Sequence, residues 1–264
     1  HRRFEGIARF DLAGLAFERG LPQAAHAHAE AALELLHALN EPRIAALALA
    51  LRGACKAALG GLNAAHEDLE QARADLAAID DHLFADVVAV QRGHLELARA
   101  VLAYARGHDR DSSEHITRAR ELTHPAKPCS SETDERRLAE RILRNAIAPH
   151  DRLTEALCVA SDNTWLRAPQ RERVELGNKK ILRRILAALV DRRLSSEAAP
   201  LSAANIIRLG WPDQRLTRSA AANRLQVALS QLRRAGLEHA LQRRADGYLL
   251  DPELGVLVID QGSK

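Results

Sequence analysis

Within Arg218–Arg244 the chain gathers side chains that suit hydrogen bonding to a nucleic acid. Asn223, Val227, Ser230 and Arg234 recur at steps of three and four, and Arg224, Gln226, Gln231 and Arg233 flank them. Helical spacing puts this set on one side and Ala221, Leu225, Leu229 and Leu232 on the other, so the apolar set is the predicted core face. Asn and Gln reach adenine edges with two hydrogen bonds, arginine does the same with guanine, and Val227 offers methyl groups to a thymine methyl. Arg218 precedes the stretch. Arg243 and Arg244 sit just before Asp246-Gly247, where arginines meet phosphates or a narrow minor groove. Lys179-Lys180 is a further candidate for phosphate contact.

No catalytic constellation accompanies them, and the chain is read as not an enzyme. Cys55, Cys129 and Cys158 are odd in number and widely spaced, with no Cys-x-x-Cys pair, which excludes a zinc ribbon, a thioredoxin motif or a disulfide scaffold and suits a reducing cytoplasm. Cys158 falls in a strand-like run and reads as core. Asp80-Asp81 are adjacent, hence turn or surface residues rather than an acid–base pair. Gly60-Gly61 lacks the Lys-Ser/Thr of a phosphate loop. His26 and His28 point well apart on a helix and have no third ligand, so no metal and no cofactor are expected.

The elements that would hold these residues divide by charge. The chain of 264 residues has a formal net charge of +3, with 47% hydrophobic and 28% charged residues. Residues 1–151 carry 19 Lys+Arg and 23 Asp+Glu, a net of −4, while residues 152–264 carry 19 and 12, a net of +7. Eleven of the twelve His lie in the acidic half. A basic region beside an acidic one points to two tasks, with polyanion binding in the basic one. No apolar run approaches the ~18 residues of a membrane span, and no signal stretch opens the chain. Met is absent, even at position 1, which is expected of a piece of a longer protein.

Residues 4–122 read as helices almost throughout, from the dominance of Ala, Leu, Glu and Arg and the recurrence of apolar residues at three and four. Gly20 and Gly60, Ala25 and Ala65, and Ala32 and Ala72 are each 40 apart, and a weaker unit runs from Ala100 through Tyr104, Gly107, Ser112, Ile116 and Ala119 to Leu122. Small residues let a second helix approach, and glycine ends the first in a left-handed turn. Phe17, Phe84 and Tyr104 are predicted core anchors. The segment Leu12–Leu35 resembles the tetratricopeptide repeat, although the unit is longer than the usual ~34 residues. The resemblance implies antiparallel helix hairpins that stack and present a concave surface to a protein or peptide.

Pro125, Pro128 and Ser130-Ser131 interrupt the helical pattern. A further helix over Ser131–Ile147, with Ser131 or Thr133 as its cap, is expected to bury Leu138, Ile142 and Leu143, to cap the stack or bridge onward, and to end at Pro149.

From Glu155 the pattern changes. Glu155–Ala160, Thr164–Ala168 and Arg173–Leu176 read as strands. Helices follow from Lys179 to about Leu194, over Ser202–Leu209 with Ser202 as cap, and from about Ser219 to Ala235 before Gly236. Leu241–Leu250 reads as a hairpin turning at Asp246-Gly247. Val174-x-Leu176, Leu201 through Ile206, Gly210-Trp211-Pro212, the spaced Leu225, Leu229, Leu232-Arg233, and Gly247-Tyr248-Leu249-Leu250 resemble, in that order, the OmpR-type winged-helix domain of bacterial transcriptional regulators. The resemblance implies a third helix in the major groove and a hairpin wing at the adjacent minor groove, with Arg244 as the wing arginine. Asn223, Ser230 and Gln231 stand where that family often has basic residues. Phosphate affinity then leans on Arg218, Arg233, Arg234, Arg243 and Arg244.

The expectation is a mainly α protein: a helix-hairpin repeat stack over 1–124, a linker and capping helix over 125–151, and a winged helix-turn-helix with a small N-terminal β-sheet and a C-terminal hairpin over 152–264. Its partners are double-stranded DNA and, through the repeats, a protein or itself, in a cytoplasmic transcriptional regulator. The alternatives are an adaptor whose winged helix binds protein, and the output piece of a larger signal-transducing regulator.

Overall fold

A computed structural model describes residues 1–123, 133–195, 199–212, 214 and 217–259. Pro125, Pro128, Cys129 and Ser130-Ser131, and with them Ser131 as a possible cap, lie outside the described residues. The chain forms two compact units, one of residues 1–104 and 108–151, the other mainly of the chain from Arg152 onward.

The first unit is counted in single helices. α1 (Arg2–Glu18), α2 (Pro22–Ala38), α3 (Pro42–Ala58) and α4 (Leu62–Ala78) are each 17 residues long and begin 20 residues apart. α5 (His82–Ala105) is longer, and α6 (Asp109–Glu121) completes a third hairpin. Left-handed residues end five of these helices: Gly20, Asn40, Gly60, Asp80 and Gly107, with φ between 54° and 87°. Glycine takes that conformation freely, and Asn and Asp are the side chains that tolerate it best. Pro22 and Pro42 then start α2 and α3, where no intrahelical N–H is needed. The 40-residue repeat read from the glycines is therefore two 20-residue units.

Small residues set the helix spacing. Ala13, Ala25, Ala29, Ala32, Ala65 and Ala72 are fully buried. A Cβ on Gly53 of α3 would stand 3.0 Å from Leu69 Cγ and 3.1 Å from the Ala65 carbonyl oxygen, so α3 and α4 pack backbone to backbone. Phe17 and Tyr104 are core, and Phe84 is half-buried under the Arg43 guanidinium, 5.6 Å from its ring centroid. Asp81 corrects its reading as a turn or surface residue. Its carboxylate is buried, accepts from the Phe84 N–H at 3.3 Å at the start of α5, and pairs with Arg43; Asp80 beside it is exposed.

α7 (Asp134–His150) starts at Thr133, whose hydroxyl oxygen accepts from the Arg136 N–H at 3.2 Å. Pro149 lies inside its last turn rather than ending it. α7 neither extends the stack as a further hairpin nor stands apart. It lies across α1, α3 and α5, the first helices of the three hairpins, and also packs on α6, with Ala139, Leu143 and Ile147 against Ala119. Ile142 packs with Ala13, Phe17 and Leu51, and Leu143 with Leu47, Val90 and Leu97. The face expected to be open to a partner is thus covered by the chain's own helix.

In the second unit β1 (Leu157–Ala160), β2 (Trp165–Arg167) and β3 (Arg173–Glu175) form an antiparallel meander. A fourth strand, absent from the sequence reading, joins it: β6 (Val256–Ile259) pairs parallel with β1, giving the order β3-β2-β1-β6. α8 (Lys180–Leu194), α9 (Ala203–Gly210) and α10 (Arg218–Leu232) follow the meander, and β4 (Leu241–Arg244) and β5 (Gly247–Leu250) make the hairpin. One core joins all of them, with Leu186, Leu189, Ile206, Trp211, Leu229, Leu232 and Leu250 in contact across helices and strands. The fold class is that read from the sequence, a mainly α chain with a helix-hairpin stack and a winged helix-turn-helix bearing small sheets, and β6 is the element added to the order read.

Candidate nucleic-acid interface

Local chemistry positions α9 and α10. The Ser202 hydroxyl accepts from the Asn205 N–H at 3.2 Å and starts α9; Thr217 accepts from the Ala220 N–H at 3.4 Å and starts α10. Ala221, Leu225, Leu229 and Leu232 are buried as their spacing predicts, and Ala228 joins them. Asn223, Arg224, Gln226, Val227 and Gln231 are exposed, while Ser230 is half-buried. Val227 is 51% exposed, unusual for an aliphatic residue at the centre of a helix.

Arg233 keeps helical angles after α10, and the helical path breaks at Gly236, φ +111°, the glycine at which the helix is expected to end. Arg233 and Arg234, just before that break, line a cavity with Pro169, Arg171 and Glu172 of the β2–β3 connection. Asn223, Arg224, Val227 and Gln231 instead border a groove of about 570 Å³ with Lys179, Lys180 and Trp211. The predicted set is therefore split between two surfaces, and Lys179-Lys180 falls on the same surface as the exposed face of α10.

The hairpin is the second part of the interface. Register pairs Arg244 with Gly247, so the turn is Ala245-Asp246, one residue before the predicted Asp246-Gly247. Gly247 belongs to the strand, and its requirement is steric. With φ +150°, a Cβ there would stand 2.1 Å from the Leu201 carbonyl oxygen. Leu201 crosses at that point and exchanges two backbone hydrogen bonds with Tyr248, at 2.8 and 2.9 Å, as an isolated antiparallel bridge to the two-stranded hairpin. Gln226 of α10 donates to the Tyr248 hydroxyl at 3.4 Å, which ties α10 to the hairpin. Nothing in the spacing of Gln226 and Tyr248 signalled that contact.

Charge is distributed unevenly over this unit. Arg183 donates to the Asp162 carbonyl at 2.9 Å, Arg193 to the Pro252 and Leu254 carbonyls at 2.6 and 2.9 Å, and Arg167 to the Arg171 carbonyl at 3.0 Å. Arg173 pairs with Glu175 and lies over the Trp165 ring. These arginines hold the scaffold together. By contrast Arg218, Arg234 and Arg243 are exposed and meet no carboxylate among the described residues. Arg244 is held by Gln242 at 2.7 Å and Arg224 by Gln214, both neutral partners that leave the positive charge uncompensated. Side chains of this kind, on one helix face and a neighbouring hairpin, suit phosphate and base-edge contact.

Burial pushes the Cys158 and Cys55 thiols up to about 12, so neither is a thiolate near neutral pH. No cluster of three metal-ligating side chains occurs among the described residues; His26 faces Glu30 at 3.9 Å without a further ligand. No described helix is long and apolar enough to cross a membrane.

Comparison with known proteins found no matching family model, no matching curated protein and no matching solved structure.

Proposed function

We propose that this chain is a transcriptional regulator that binds double-stranded DNA through α10 and the β4–β5 wing, and that its helical unit receives a protein partner. One observation carries the reading. An exposed helix face of Asn223, Arg224, Gln226, Val227 and Gln231 is linked through Tyr248 to a hairpin bearing Arg243 and Arg244, whose charges no described carboxylate neutralises. In the major groove, Asn223 and Gln226 would read adenines and Arg224 a guanine, with Val227 against a thymine methyl. Arg218, Arg243, Arg244 and Lys179-Lys180 would bind phosphates and fix the register. The mechanism is positional and electrostatic, and no enzymatic step belongs to it.

Selection from a random duplex pool tests the reading. The whole chain should enrich one sequence, and Asn223→Ala or Gln226→Ala should change the preferred bases. An unaltered preference in both variants would reject α10 as the reading helix.

A second reading has its own support. Ile181, Trp211, Val227 and Ala228 give the groove beside α10 an apolar floor, which suits a protein contact. In an adaptor of that kind, Val227→Asp would abolish partner capture, and the chain would show no salt-sensitive affinity for duplex.

A further inference from the structure

Two glycines inside helices mark how α7 is seated. A Cβ on Gly14 of α1 would stand 3.1 Å from Leu138 Cδ2, and a Cβ on Gly93 of α5 would stand 2.3 Å from Leu143 Cδ2. Glycine is a poorer helix residue than alanine, so α1 and α5 give up helix stability at the two points where leucines of α7 enter. Ion pairs lie alongside. Arg136 of α7 pairs with Asp86 of α5 and at 2.8 Å with Glu140, and Arg141 pairs at 2.6 Å with Glu18 of α1. The groove offers acid, and its occupant brings arginine.

The fit fails at the amino end of α7. A cavity of about 140 Å³ remains there between α7 and the floor made by α1, α3 and α5. Gln91 lines it, is only 6% exposed, and its amide oxygen has no hydrogen-bond partner. An unsatisfied buried acceptor costs its full desolvation, and α7 brings no donor to it. Asp134 and Glu135 of α7 share the cavity wall with Asp11 of α1, whose carboxyl is raised by burial and by Glu135. A helix selected only to close this groove would bring neither an unanswered acceptor nor carboxylates facing a carboxylate.

We infer that the α1/α3/α5 groove is a docking site for an amphipathic helix of a protein partner, and that α7 is the resident competitor the partner displaces. The partner helix carries two large aliphatic residues five apart, as Leu138 and Leu143 are. An arginine lies two residues before the first, as Arg136 does, and a hydrogen-bond donor replaces the acidic first turn to reach Gln91. The inference rests on the protein-binding half of the function proposed above and is independent of its DNA-binding half. Because α7 ends directly before the winged unit in the chain, a partner that lifts it lengthens the tether to that unit.

The test uses a fluorescent peptide of residues 133–150 as probe and the full chain as receptor, read by anisotropy. In the L138A/L143A chain the groove is intact and its own α7 is weakened. That chain should bind the peptide at least tenfold more tightly than the wild type. Adding G93A, which fills the hole for Leu143 while favouring the α5 helix, should remove the gain. Equal binding by wild type and L138A/L143A would overturn the inference. So would loss of a cooperative helical melting transition in L138A/L143A, since α7 would then be an integral part of the core. Concentration-dependent dimers of the wild type that the peptide dissolves would overturn it as well, by assigning the groove to the α7 of a second copy. Duplex binding by the same proteins is measured separately, so failure here leaves the DNA reading standing or falling on its own.

Discussion

In the helical unit Asp68 accepts from Arg52 and Lys56, each at 2.8 Å, and Glu96 holds Arg99 at 2.8 Å and His115 at 2.7 Å, while Arg136 is buried between Glu140 and Asp86. In the winged unit Arg218, Arg234 and Arg243 stand exposed with no carboxylate among the described residues, although the same unit binds Arg183 and Arg193 firmly to backbone carbonyls. The two units use charge differently. In the first, most guanidinium groups among the described residues meet carboxylates, Arg2, Arg19 and Arg106 excepted, and pairs such as Arg52–Asp68 and Arg136–Asp86 fix helix against helix. In the second, arginines that hold the scaffold are distinct from arginines that face outward, and the outward ones include Arg218 and Arg224 on α10 and Arg243 and Arg244 on the β4–β5 hairpin. Exposed cations left without counter-charges add little to folding, and a polyanion compensates them.

That contrast can be broken from either side. The largest expected effect is on the winged unit's scaffold. Gly247→Val puts a side chain into the Leu201 carbonyl and should destabilise that unit by about 3 kcal/mol, read as a lower denaturation midpoint, with little change in the helical unit. A smaller loss across both units would mean that they do not unfold independently.

His94 tests the helical unit. It is buried against the Phe17 ring at 4.7 Å, and burial, reinforced by His150, pushes its imidazole down to about 3. The folded form therefore refuses a proton that the unfolded chain accepts near 6.5. Stability is complete above that pH and falls as the pH drops from 6.5 toward 3, by about 2 kcal/mol at pH 5. His150, also lowered by burial, acts in the same direction, and Asp11, raised, acts against it. Melting of the helical unit at pH 7.5 and 5.0 reads this out. His94→Phe should flatten most of the dependence, and an unchanged slope would remove His94 from the account.

Arg243→Ala with Arg244→Ala should weaken binding to every duplex by about tenfold, or ~1.4 kcal/mol, and lower the logarithmic salt slope by about 0.9 for each lost phosphate contact, without moving the melting transition. The smallest effect sharpens the picture. Asn223→Ala should cost about 1 kcal/mol at one or two base positions and nothing elsewhere in the site.

Much of this fold was legible in the sequence because it is written in local rules. Gly20 and Gly60 announced left-handed turns, and Ala221, Leu225, Leu229 and Leu232 announced the buried side of α10. Asn40 and Asp80 make the same turns without glycine, so the glycines mark the 40-residue hairpin period and leave the turn between one hairpin and the next unmarked. What was not legible depends on distant partners. Val256-Leu257-Val258-Ile259 carries the β-branched run of a strand, and what its sequence does not give is its parallel partner β1. Asp81 looks like a surface carboxylate until Arg43, far away in the chain, is seen to cover it. The seat of α7 on α1 and α5 needed Gly14 and Gly93 to be matched with Leu138 and Leu143, which no periodicity links. Within the candidate interface, the spacing put Arg233 and Arg234 on the helix with the rest. They lie just before the break at Gly236 and border the β2–β3 connection instead, a neighbour that helix spacing does not reveal.

The most direct measurement is fluorescence anisotropy of the whole chain on a random duplex pool, titrated at about 50 mM and about 150 mM salt. Affinity that falls steeply between the two, with a slope reduced by Arg243→Ala and Arg244→Ala, is the predicted result. No binding at the lower salt, or binding indifferent to salt and to both arginines, would contradict the assignment of α10 and the wing to DNA.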